Sequence, residues 1–152
     1  MPDTPDSNPH LHLVVGYDGS DPADRALDAA VRLLRGREGG IDVVYVANLP
    51  GVDALSFEAV AEMEADFDAI EKDLRAAVAK RLDGHDFAWN FQRRQGPIAH
   101  ELVEAATAVE QAYPGDTTVV VVGSSSHASH RLLGSVAVGL ARHCPVPLTI
   151  VP

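Results

Sequence analysis

The stretch VVVVGSSSHASHRLLGSVAVG, residues 119–139, changes from apolar to polar and back again. Its valines end at Gly123, a serine-rich loop follows, and Gly134-Ser135 opens a second apolar segment. A run of β-branched residues that ends at a glycine predicts a buried strand over 117–122, and the segment after the loop predicts a helix over 135–143. Because the predicted strand is apolar on both faces, we expect it to occupy a central position in a parallel sheet.

The alternation of strand and helix continues along the chain. Further strands are predicted at 12–16, at 41–47, around Phe87, Trp89 and Phe91, and at 148–151. Further helices are predicted at 22–36, at 57–82 and from Gly96-Pro97 to about Val109. The order β-α-β-α-β-α-β-α-β predicts an α/β fold, a single-domain doubly wound five-stranded parallel sheet with helices on both faces. The strand around Phe87 alternates apolar and polar residues, which favours a place near an edge of the sheet.

For two of the helices the sequence predicts details beyond their bounds. For the first, Pro22 is predicted at the first helical position with Asp21 as its cap. The second has acidic residues that we interpret as a solvated face, since helical spacing spreads them around the axis. Its apolar stripe is interrupted only by Glu64 and is expected to face the core. The stripe consists of Phe57, Val60, Phe67, Ile70, Leu74 and Val78.

Composition limits the classes of partner. The chain of 152 residues carries a net charge of −10, which disfavours binding to nucleic acid and to anionic membranes. No apolar run approaches the roughly 20 residues of a membrane-spanning helix. The single cysteine, Cys144, excludes an intrachain disulfide, is expected to be a small buried residue, and suits a reducing, cytoplasmic location. Residues 1–9 are predicted to be a disordered tail ahead of one domain at 10–152.

The histidines do not have the spacing of a metal site. His10 and His12 are two residues apart and His127 and His130 three apart, and no further ligand accompanies either pair. We therefore interpret them as polar residues of the tail and the loop. His127 and His130, together with Arg131, could alternatively face a phosphate. No metal site is predicted.

In a doubly wound sheet the ligand site lies beyond the carboxyl ends of the strands, where the strand order reverses. The loops that meet there are 16–20, 46–50 and 123–135. Gly123 permits a sharp turn, Ser124 to Ser126 offer hydroxyl and amide groups, and Gly134-Ser135 places free amides at a helix N-terminus, where an anion is favoured.

Asp18 follows the first strand and permits two interpretations. It either caps the turn into the first helix alongside Ser20 and Asp21, or it serves a ligand, by accepting a hydrogen bond from a ribose hydroxyl or a base or by holding a metal ion beside a phosphate. Three common site motifs are absent, namely GxxxxGK[ST], GxGxxG after the first strand, and GxSxG. No catalytic residue is therefore nominated, and slow hydrolysis without a dedicated base is the most activity expected.

Three segments in order resemble the universal stress protein family. They are VVGYDGSDPADRALDAAVRLL at 14–34, VVYVAN at 43–48, and the chain from Val119 to Pro152 with its G-S before a helix and C-P-V near the end. The resemblance covers Leu11 to Pro152 and implies the adenine nucleotide alpha hydrolase-like fold and a homodimer.

One branch of this family binds ATP through the pattern G-x2-G-x9-G-[ST], and the resemblance carries that pattern onto this chain. It implies a site made by Gly16, Asp18, Val46, Gly123, Ser124, Ser126, Gly134, Ser135 and Val136. ATP is the implied ligand, with AMP or a cyclic nucleotide as alternatives, and Mg²⁺ is left open. The chain departs from the pattern because Ser126 stands at the second glycine and seven residues, rather than nine, separate it from Gly134.

Two functions are consistent with these observations. The chain is either a stress or signalling protein that binds an adenine nucleotide, or a ligand-free homodimeric interaction module of the same family. For the dimer we expect pairing through the last strand, Leu148 to Val151, which is apolar and has no lysine or bulge to protect a sheet edge.

Overall fold

The protein is one five-stranded sheet covered by helices. The structure is a computed structural model and describes residues 8–48, 52–124 and 134–152. The strands are β1 (Leu11–Gly16), β2 (Gly39–Ala47), β3 (Ala88–Gln95), β4 (Thr117–Gly123) and β5 (Leu148–Val151). The helices are α1 (Asp21–Leu34), α2 (Phe57–Leu82), α3 (Ile98–Ala112) and α4 (Ser135–His143), with a short 3-10 helix at Val52–Ala54.

The sheet has the strand order β3-β2-β1-β4-β5 and every neighbouring pair is parallel. The predicted α/β fold is therefore confirmed, with β3 at one edge and β4 inside the sheet as expected. The order runs outward from β1 in both directions, so that it reverses between β1 and β4. The predicted tail, 1–9, falls almost entirely outside the described residues.

Each face of the sheet has its own core. Leu13 and Val15 of β1 pack on the face with α1 and the C-terminal end of α2, whereas Val14 packs with Leu102 of α3 and Leu140 of α4 on the other. The alternation follows from the two-residue period of a strand, which directs successive side chains to opposite faces. Because both faces are covered, the central strands are mostly apolar, with His12 and Thr118 as buried polar exceptions, and this is the pattern that the valine run predicted.

The start of α1 differs by one residue from the prediction. The helix begins at Asp21, and its cap is Ser20, whose hydroxyl accepts a hydrogen bond from the amide of Ala23 at 3.3 Å. The predicted cap, Asp21, and the predicted first position for Pro22 were therefore wrong. The cause is the carboxylate of Asp18, which accepts from both the amide and the hydroxyl of Ser20 and so holds this side chain at the helix start.

His12 is a core residue, and its interpretation as a polar tail residue was wrong. It lies buried in β1, its ring stacks on Tyr113 with centroids 4.1 Å apart, and its Nε2 lies 2.9 Å from Oδ2 of Asp116. The hydrogen bond from His12 lowers the pKa of the Asp116 carboxyl. Asp116 also accepts from the backbone amide of His10, so one carboxylate joins the start of β1 to the turn before β4.

Two further expectations of burial failed. Phe57 is 86% exposed and Ile70 is 41% exposed, although both belong to the predicted core stripe of α2. Length accounts for Phe57, because the 26 residues of α2 extend for about 39 Å, whereas the nine residues of β2 extend for about 30 Å, so the first turns of α2 reach past the sheet. Only Val78 and Leu82, near the end of α2, are buried. Cys144 is half-buried rather than buried, since it lies at the exposed end of α4.

Among the helices that the structure describes, none has both the length and the apolar composition that crossing a membrane requires.

Candidate functional site

A cavity of about 320 Å³, here called the switch-point cleft, lies at the carboxyl ends of β1 and β4. This is the position at which ligands enter doubly wound sheets. The structure brings eight of the nine predicted site residues to its walls, namely Gly16, Asp18, Val46, Gly123, Ser124, Gly134, Ser135 and Val136. The ninth, Ser126, lies outside the described residues, as do His127, His130, Arg131 and part of the 46–50 loop.

One wall of the switch-point cleft is apolar. It consists of alternate residues of β2, Val44 and Val46, with Val122 of β4 and two residues one turn apart on α3, Ile98 and Leu102. Of these only Val46 was predicted. The period of two in β2 and the spacing of four in α3 were both readable in the sequence and could have identified the rest. A planar apolar group fits such a wall.

The two glycines at the base of the cleft allow close packing. A Cβ on Gly123 would lie 2.3 Å from the carbonyl oxygen of Pro22, and a Cβ on Gly16 would lie 3.1 Å from a methyl group of Leu102. Gly123 is therefore required by the approach of β4 to the first turn of α1. Packing alone explains this glycine, whether or not a ligand is bound.

Asp18 stabilises the turn before α1, as the first of its two interpretations predicted. Its Oδ1 accepts from the amide of Ser20 at 3.0 Å and from the hydroxyl of the same residue. Its Oδ2 has no hydrogen-bond partner among the described residues, and the side chain is exposed at the rim of the cleft. One oxygen is therefore used by the turn and the other faces no protein donor.

The opposite end of the cleft suits an anion. Helix α4 begins at Ser135 with Gly134 as its N-cap, and no side chain of the described residues caps it, so the amides of its first turn lack acceptors within the helix. These amides and the helix dipole favour negative charge. Ser124 contributes less than expected, because its amide donates to the carbonyl oxygen of Val151 at 2.7 Å. The prediction that the amide of Ser124 is free was wrong, and only its hydroxyl remains for a ligand.

Tyr17 lies between the cleft and the core and was missed in the sequence. Its hydroxyl donates to Oδ1 of Asp24 at 2.8 Å, and Oδ2 of Asp24 lies 3.1 Å from Arg81 of α2. Burial, followed by the hydrogen bond to Asp24, raises the pKa of Tyr17 to about 12. The signal was available, because Tyr17 continues the alternation of Leu13 and Val15 toward the α1 face.

The charges around the cleft are few. Asp18 is the only charged side chain among the described residues that line it. Positive potential at this site therefore comes from backbone amides rather than from a described lysine or arginine. Groups of three or more metal-ligating side chains are also absent from the described parts of the chain.

A larger cavity, of about 740 Å³, lies at the amino ends of β1, β2 and β3. Acidic and basic side chains alternate around it, for instance Arg35, Arg37, Glu38 and Asp86. The smaller cavity is the better candidate for a ligand site, because the larger one follows the edge of the sheet onto both faces. The larger cavity also lies at the end of the strands where doubly wound proteins do not bind ligands.

The strand order and the switch-point cleft define a doubly wound α/β protein with a small-molecule-sized site at its topological switch. A model of the universal stress protein family matches residues 10–152, and the chain belongs to that family. A search of curated proteins returned no match.

Solved structures of other proteins have a fold similar to that of this chain. The protein MJ0577 is 19% identical, with a TM-score of 0.74, and the match covers 93% of this chain and 95% of that one. A universal stress protein in complex with cAMP is 24% identical, with a TM-score of 0.64 and coverages of 94% and 97%. A universal stress protein family protein from Arabidopsis thaliana with AMP bound is 15% identical, with a TM-score of 0.61 and coverages of 93% and 90%.

The raised pKa of Tyr17 predicts a specific alkaline transition. Because the native pKa of about 12 exceeds the ordinary value of 10.0, the neutral phenol stabilises the fold below pH 10, and this contribution is lost as the pH rises toward 12. Ultraviolet titration of wild type and Tyr17→Phe should differ by one tyrosine that ionises near pH 12. A difference that titrates near pH 10 would contradict the hydrogen bond to Asp24.

Proposed function

We propose that the switch-point cleft binds an adenine nucleotide and that the protein acts in stress response or signalling through that binding. The observation that carries the proposal is the combination of an apolar wall with an uncapped helix N-terminus in one cavity. The partly exposed residues of the apolar wall, Val46 and Ile98, suit a planar base, and the first-turn amides of α4 suit a phosphate. Two structures of similar fold contain cAMP and AMP, which supports the same ligand class here.

ATP is the particular nucleotide that the family pattern favours, with AMP and cyclic nucleotides as alternatives. The residues available for it are the amides at Ser135 and Val136 for phosphate and the free oxygen of Asp18 for a ribose hydroxyl. The phosphate groups of a bound nucleotide would supply the negative charge that these amides attract. Asp18 is the only charged side chain among the described residues of the cleft, and its carboxylate holds the turn at Ser20, so we propose binding rather than catalysis. A cytoplasmic location stays a prediction from the single cysteine.

The alternative is a ligand-free interaction module. It is favoured by Gly123, whose lack of a side chain is explained by the contact with Pro22, and by Asp18, which forms a turn without any ligand. Isothermal titration of the purified protein with ATP, AMP and cAMP separates the two functions. Nucleotide released from the denatured protein would be a second line of support. Absence of binding to all three would leave the interaction module.

Gly134→Val should raise the dissociation constant for the nucleotide by at least about tenfold, because it adds a branched side chain to the phosphate end of the cleft. The backbone of Gly134, with φ of −61° and ψ of 161°, is open to valine, so we expect the variant to fold. Ala141→Val, on the exposed side of the same helix, is the matched control and should bind as wild type does. Unchanged affinity in Gly134→Val would remove the start of α4 from the site.

Asp18 can be tested with two substitutions that separate its two roles. Asp18→Asn keeps a carbonyl oxygen for Ser20 but replaces the second oxygen with an amide group, so it should retain the wild-type melting temperature and weaken nucleotide binding by about 1–3 kcal/mol. Asp18→Ala should lose both stability and binding. Calorimetry and thermal unfolding of both variants give the answer. Full affinity in Asp18→Asn would confine the residue to the turn.

We also propose that two copies associate through β5. The amides of Val120 and Ser124 donate to the carbonyls of Pro147 and Val151, so in a parallel ladder alternate residues of β5, including Thr149, face β4. The backbone groups of Leu148 and Ile150 then face the open edge. An antiparallel contact with the same edge of a second copy would satisfy them and is self-complementary.

Ile150→Pro should convert the dimer to a monomer, because it removes an amide donor at the open edge. Ile150→Ala retains that amide and is the control for the lost side chain. Sedimentation velocity at tens of micromolar distinguishes the species, and circular dichroism checks the fold. A monomeric wild-type protein would refute the β5 dimer without bearing on nucleotide binding.

A further inference from the structure

The first half of α2 has exposed apolar residues that the fold leaves uncovered. Phe57 is 86% exposed, and Leu55, in the turn before the helix, is 40% exposed. Ala61 and Ala65 follow Phe57 at intervals of four residues and are also exposed. Residues four apart lie on one side of a helix, so the three form an apolar strip with a large ring at its end and small residues below it.

Carboxylates border this strip. Glu58, Glu62 and Asp66 form a column beside it, again four residues apart and all exposed. From Phe57 to Asp73 the helix has seven acidic residues and a single basic one, Lys72. Of the seven, Asp68 and Glu71 pair with arginines, while the column makes no ion pair with any residue in the described ranges.

The acidic column is unfavourable for the isolated protein. Like charges at four-residue intervals repel one another along a helix. The helix dipole compensates only in the first turn, which includes Glu58 but not Glu62 or Asp66. The exposed ring of Phe57 beside this column adds apolar surface whose contact with water is unfavourable in free energy. A partner with cations and an apolar side chain would relieve both costs at once.

We propose that this surface, defined by Phe57, Ala61 and Ala65 with the column Glu58, Glu62 and Asp66, docks a basic amphipathic segment of another protein. Charge complementarity selects this occupant. A second copy in a two-fold contact would bring two acidic columns together. Nucleic acid and anionic membranes are repelled by the same carboxylates. The surface lies after β2, at the same end of the sheet as the switch-point cleft, but the proposal does not depend on a nucleotide.

A peptide of leucine and lysine, designed as an amphipathic helix of about five turns and labelled with fluorescein, is the probe. Fluorescence anisotropy should show binding to the full-length wild type that Phe57→Ser and Glu58→Lys/Glu62→Lys each weaken by about tenfold. Glu104→Lys/Glu110→Lys, on the exposed side of α3, makes the same change of net charge and should leave affinity within about twofold of wild type. Circular dichroism confirms that each variant folds.

Three results would overturn the proposal. Equal weakening by the α2 and α3 charge variants would mean that the peptide responds only to the acidic surface as a whole. Undiminished binding in Phe57→Ser would mean that the apolar strip takes no part. Self-association of the wild type that Phe57→Ser abolishes, and that Ile150→Pro does not, would assign this surface to a second copy.

Discussion

The contact between Gly123 and Pro22 is the constraint on which the rest of the site depends. The carboxyl end of β4 approaches the first turn of α1 so closely that a single methyl group would lie 2.3 Å from the carbonyl oxygen of Pro22. Because this approach is possible, α1 packs across β1 and β4 on one face while α3 and α4 pack on the other. The strand order reverses between β1 and β4, and the switch-point cleft lies at the carboxyl ends of these two strands.

Much of the fold could be predicted because its elements obey local rules. The four valines of β4 are not interrupted by a polar residue, β2 is rich in β-branched residues, and parallel strands buried on both faces require such segments. The ends of the helices were harder to predict. Whether Ser20 or Asp21 caps α1 depends on a hydrogen bond that Ser20 donates to Asp18, and Ser, Asp and Asn are all good caps. Long-range contacts could not be predicted from local sequence, since the burial of His12 depends on Asp116, 104 residues further along the chain.

The candidate site was located by the same kind of reasoning but was described incompletely. The position of Gly16, Gly123 and Gly134 around one cavity follows from strand order alone, and the structure places them there. The engagement of the Ser124 amide by β5 could not be foreseen, because it depends on the register of the last strand. The apolar wall was overlooked for a different reason. Valines and leucines at the end of a strand have the same composition as core residues, and only the geometry shows that Val122 and Leu102 also border a cavity.

The central place of β1 has a consequence for the order in which the molecule is built. This strand is synthesised first, yet one of its two edges pairs with β4, which is among the last elements to be made. Pairing between distant segments is slow, because a long loop must close before any contact compensates for its entropy. Until Thr117 to Gly123 have left the ribosome, the apolar edge of β1 has no partner, and the sheet cannot close. Folding of this sheet is therefore completed only after β4 has been synthesised, and the cleft between β1 and β4 is absent from nascent chains that lack β4.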